Sequence, residues 1–173
     1  MIFEHPLHPM FVHFTVALTC TSVLCYFLGR VLPNRKLKNE LLVSSFWLIL
    51  LSAGATVLTL TTGYLQFNAV IHDAGSHLAM INHRAWAIGT SIILFILAIW
   101  GARNYKKNNY SGFSYPLCLL VLFAGVSITA FKGGNLVYKY GLGVKSNPEL
   151  RELKSKNEGS SHENIFSDHD IKH

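Results

Sequence analysis

The chain has 173 residues, half of them hydrophobic and only 14% charged, with a formal net charge of +6. A soluble domain carries about a quarter charged residues, whereas the apolar residues here gather in four blocks of roughly the 20 residues a bilayer span requires. The composition excludes an ordinary soluble domain, and the basic residues, confined to short loops and the tail, read as topology and headgroup contacts rather than a nucleic-acid stripe. The expected fold class is all-α: an integral membrane four-helix bundle over residues 1–145 with a polar, mobile tail over 146–173.

The opening MIFEHPLHPMFVHF sets His5, His8 and His13 before and inside the first apolar run. A residue preceding proline is pushed away from helical geometry, so 1–9 is expected to be extended or turning. Pro9 then falls in the first turn of a helix over 9–32, which Pro33 and Asn34 end. Glu4, the lack of any Lys or Arg before the run and the lack of a small-residue cleavage site argue that this segment stays as a span rather than being cleaved. The second span is expected over 41–64, where Ser52, Thr56, Thr59 and Gly63 recur at helical spacing and give one face of small residues. The third runs over 77–102 and carries His83 and Arg84 in its outer turns, preceded by His72, Asp73 and His77. The fourth runs over 114–131, with Lys132 able to snorkel from its end. Glycines at 133, 134, 141 and 143 argue against a regular helix beyond it. No internal repeat stands out.

Arg30, Arg35, Lys36 and Lys38 flank the first connection, and Arg103, Lys106 and Lys107 the third; the amino terminus and the second connection have none before His83. The positive-inside rule makes the basic connections cytoplasmic and turns both termini outward. Every histidine ahead of the tail then falls at the outer face.

An ionisable group at membrane depth is by default a functional hypothesis. His13 and His83 lie at matched depths on separate spans, to within a few ångströms at ~1.5 Å per residue. Each is followed four residues on by a small residue, Ala17 or Ala87, and three further by Cys20 or Thr90, positions that share its helix face. Two imidazoles above a slot of small residues are what a flat macrocycle needs, and axial histidine is a standard haem ligand. The expectation is haem b between His13 and His83 with Arg84 pairing a propionate, in an electron carrier or subunit rather than a stand-alone enzyme. The rival use is a copper or zinc site built from His5, His8, His72, Asp73 and His77. Covalent haem attachment is not expected, since C-x-x-C-H is absent and Cys20, Cys25 and Cys118 are embedded in apolar runs. His162, Asp168, His169, Asp170 and His173 form a weak metal-binding composition in what reads as a solvated end.

The motifs HPLHPMFVHF at the start, HRAWAIG at 83–89 and GGNLVYKYGLGV at 133–144 resemble the small bacterial membrane family called domain of unknown function 2231 over residues 1 to about 145. The resemblance implies a four-span inner-membrane protein whose relatives are joined to redox modules such as cytochrome c or Rieske-type domains, and hence respiratory electron transfer; the topology above places the redox partner at the outer face. It singles out His5, His8, His13, His83, Gly133, Gly134, Tyr138, Gly141 and Gly143, while Lys132 and Tyr140 stand where many relatives are expected to carry histidine.

Overall fold

The computed structural model describes residues 7–69, 74–107 and 112–142. They form four helices: α1 (Leu7–Val31), α2 (Arg35–Ala69), α3 (Ala74–Lys106) and α4 (Ser114–Tyr138). All four are long and apolar enough to cross a membrane. Their outward faces carry Leu24, Val31, Leu51, Leu58, Ile92, Ile96 and Phe131, each more than half exposed. So much contiguous apolar surface suits hydrocarbon, in which helices satisfy every backbone group internally. The helices form a ring, α1 against α2, α2 against α3, α3 against α4 and α4 against α1, so α1 and α3 stand on one diagonal, α2 and α4 on the other.

The spans lie where the apolar blocks do, but their ends run further. Asn34 not only stops α1: its Oδ1 accepts the backbone N–H of Lys36 at 3.0 Å and of Leu37 at 3.2 Å, which caps α2 and starts it at Arg35 instead of 41. The three residues between Val31 and Arg35 force α1 and α2 into close antiparallel contact. At the opposite end α1 begins at Leu7, so His8 sits within its first turn rather than in an extended lead. The largest departure is α4, which continues through Gly133 and Gly134 to Tyr138. The glycines do not end it because a side chain from α3 packs on Gly133. The chain leaves the helix only at Gly141, whose φ of 65° is left-handed and whose N–H donates to the Val137 carbonyl at 3.0 Å. The expected tail, 146–173, lies outside the described residues.

The apolar core is asymmetric along the bundle. Tyr26, Leu42, Ile49, Leu94, Leu97, Tyr115, Leu119 and Leu122 fill its middle and the end nearest the α1–α2 turn, where the rings of Tyr26 and Tyr115 lie 5.4 Å apart. Towards the other end this packing gives way to buried Thr56 and Thr90, and then to the histidines.

Candidate functional site

His8, in the first turn of α1, is held by the last turns of α2. Its Nδ1 lies 3.0 Å from the Thr59 carbonyl and 3.5 Å from Thr62 Oγ1. A carbonyl only accepts, so Nδ1 carries the proton and Nε2 the lone pair. The ring rests on Gly63, where a Cβ would come within 2.8 Å of His8 Cε1; any larger residue would push the imidazole away. Thr59, Thr62 and Gly63, at i, i+3 and i+4, share the helix face that makes this cradle.

His83 sits on the diagonal helix in matching surroundings. Its ring rests on Gly133 of α4, where a Cβ would lie 3.1 Å from Cε1, and it faces the Thr129 carbonyl. Its Nδ1 is buried with no hydrogen-bond partner among the described residues. His83 lies within electrostatic reach of both His8 and Lys132. Two cations stand on aromatic faces nearby: Lys132 Nζ lies 5.8 Å from the Trp86 ring centre, and Arg84 Cζ lies 5.2 Å from that of Phe67. The Phe67 ring also meets that of His77, centre to centre at 6.2 Å.

The structure does not bring His13 to His83. His13 is exposed, and its Nδ1 lies 2.5 Å from the carbonyl of Pro9 in its own helix. Five residues separate it from His8, about 140° around the helix at ~100° per residue, so the two cannot face the bundle axis together. Ala17 is likewise exposed, while Ala87 is half-buried and its carbonyl accepts the Ser91 hydroxyl at 2.7 Å. His5, His72 and Asp73 lie outside the described residues. Among those described, no three His, Cys, Asp or Glu side chains converge. By sequence alone His8 reads as part of a near-surface metal set. The signal that it belongs with His83 was present in two Thr-x-x-x-Gly steps, Thr59 to Gly63 and Thr129 to Gly133.

These features define a membrane-embedded four-helix bundle with a leucine-rich seam between α3 and α4, buried hydroxyls between α1 and α2, and two half-buried histidines, His8 and His83, towards one end. The chain belongs to the family described as predicted membrane protein (DUF2231), whose family model matches residues 4–146. No curated protein and no solved structure matches it.

Proposed function

We propose that His8 and His83 hold a b-type haem, and that the protein is an electron carrier or electron-transfer subunit of a bacterial inner membrane. Both termini and the site face outward, and a redox protein at that face is its partner. The observation that carries this reading is the alternation of imidazole and glycine around one end of the bundle. Imidazoles come from the diagonal helices α1 and α3, and α2 and α4 present glycine beside them. His8 and His83 are the residues that would hold the haem iron, histidine being a standard haem ligand. The glycines let each ring seat directly on the neighbouring helix, which fixes its position. The bond from His8 Nδ1 to a backbone carbonyl is the outer-shell contact that orients metal-binding histidines and leaves Nε2 to ligate. Arg84 and Lys132 supply cations of the kind that pair with propionates. When bound, the haem would supply reversible one-electron chemistry. The chain's own part is to orient the two rings and exclude water beneath them with the leucine core. The outward orientation rests on the basic connections at the opposite end.

Protein purified in detergent after expression with ample haem should show a Soret band, a sharpened α-band on dithionite reduction, and iron near one per chain. Absence of both band and iron, persisting after haemin is added to the purified protein, contradicts the proposal. Stoichiometric copper or zinc instead of iron would favour the metal site built from His5, His8, His72, Asp73 and His77.

A further inference from the structure

We infer that the bundle is a duplicated hairpin: α3–α4 repeats α1–α2, and His83 with Thr90, Thr129 and Gly133 is the second copy of His8 with Thr15, Thr59 and Gly63. Each histidine precedes its threonine by seven residues, and each α2 or α4 threonine precedes its glycine by four. The contacts match as well as the residues. Each ring packs on the glycine of the partner helix of its own hairpin, and the His8 ring also bonds to the Thr59 carbonyl. The two threonine hydroxyls meet, Thr15 with Thr59 at 2.9 Å and Thr90 with Thr129 at 3.2 Å.

The same register carries down both helices. Thr19, Ser22, Val23 and Tyr26 of α1 correspond to Leu94, Leu97, Ala98 and Gly101 of α3, and all eight are buried. On the second helices, Ile49, Ser52 and Thr56 correspond to Leu119, Leu122 and Val126, again all buried. Nearest the connections the equivalent pairs also touch, with the donor exchanged: Ser22 Oγ of the first helix donates to the Ser45 carbonyl at 2.8 Å, whereas in the second hairpin the Tyr115 hydroxyl of the second helix donates to the Leu97 carbonyl at 3.5 Å. Helical periodicity alone matches burial at any shift of whole turns. It does not reproduce the same four residue types making the same two contacts, ring on glycine and threonine hydroxyl on threonine hydroxyl. The register also accounts for His13, whose counterpart is Ile88, 43% exposed; both occupy an outward position.

A duplicated hairpin closing into a ring relates its halves by an approximate two-fold along the bundle. The two imidazoles therefore occupy equivalent positions, although of the two only the His8 Nδ1 is bonded to a carbonyl among the described residues, and a ligand on that axis is within reach of both. Resting on the haem reading above, this assigns a six-coordinate, bis-imidazole site rather than one ligand histidine and one distal histidine.

Double-mutant cycles on the ligand-free full chain test the duplication by itself. Gly63→Ala should lower the thermal midpoint by about 3–10 °C, the range expected for overpacking, and His8→Ala should abolish most of that penalty. Gly133→Ala should behave the same way, relieved by His83→Ala and not by His8→Ala. A Gly133 penalty that His83→Ala leaves untouched, or relief that crosses between hairpins, overturns it. With haem bound, His8→Ala and His83→Ala should each convert a low-spin six-coordinate spectrum to a high-spin five-coordinate one, and added imidazole should reverse both. One variant keeping the wild-type spectrum would show the two rings to be unequal and overturn the equivalence. A wild-type chain with no haem at all removes the haem reading, while the ligand-free cycles still decide the duplication.

Discussion

The two hairpins carry matching half-sites at the end of seams that are chemically opposite. Between α1 and α2 the seam is a ladder of hydroxyls: Thr15 to Thr59, Thr19 to Ser52 at 2.7 Å, Ser52 back to the Thr15 carbonyl at 3.2 Å, and Ser22 to the Ser45 carbonyl. At the equivalent level between α3 and α4 stand Leu94, Leu97, Leu119 and Leu122, each 1% exposed or less. In a membrane, where there is little hydrophobic drive between helices, association rests on close packing or interhelical hydrogen bonds. Each hairpin has taken one of those routes. Bulk is also traded across the two: the first hairpin carries Tyr26 and small Ser45 where the second carries Gly101 and Tyr115, whose hydroxyl lies 2.7 Å from where a Cβ on Gly101 would be. What the hairpins have kept in common is the histidine, the two threonines and the glycine at the far end. Seam chemistry is free to differ because it only has to hold the helices together; the half-sites have to present the same ring in the same place.

The sharpest way to break this contrast is in the apolar seam. Leu122→Ala should cost about 2–5 kcal/mol, the range for truncating a buried leucine and leaving a cavity, read from unfolding by denaturing detergent. Next come the cradles. Gly63→Ala should cost about 1–3 kcal/mol as an overpacking change and exceed Gly133→Ala, since its Cβ would stand 2.8 Å rather than 3.1 Å from the ring. In the hydroxyl seam Ser52→Ala removes bonds to Thr19 and to the Thr15 carbonyl, yet should cost only about 0.6–1.7 kcal/mol, as interhelical hydrogen bonds in membranes do. The smallest shift should come from Lys132→Thr, which gives the second hairpin the residue that the first carries at Thr62. It should leave both imidazoles packed and move the midpoint less than any of the others. A Ser52→Ala cost above that of Leu122→Ala would reverse the assignment of which seam is held by volume.

The four helices were legible because their apolar blocks have spanning length, a property of composition alone. Their ends were not. Asn34 ends one helix but also caps the next, and the glycine pair at 133–134 reads locally as a breaker, although a ring from another helix fills the space that it opens. For the site, depth along the helix pointed to His13 while position around the helix decided for His8. Depth can be counted from sequence, but the facing direction is fixed only when the neighbouring helix is known. The duplication stayed hidden because its seam residues have diverged from serine and threonine to leucine, valine and tyrosine, leaving only short separated matches.

The most direct measurement is haem retained per chain after purification of wild-type, His8→Ala, His83→Ala and His13→Ala proteins, compared by reduced-minus-oxidised absorption. His13→Ala should keep the wild-type band, while His8→Ala and His83→Ala should each replace it with the five-coordinate spectrum and, combined in one chain, retain no haem. Loss of the band in His13→Ala with retention in His8→Ala would contradict it.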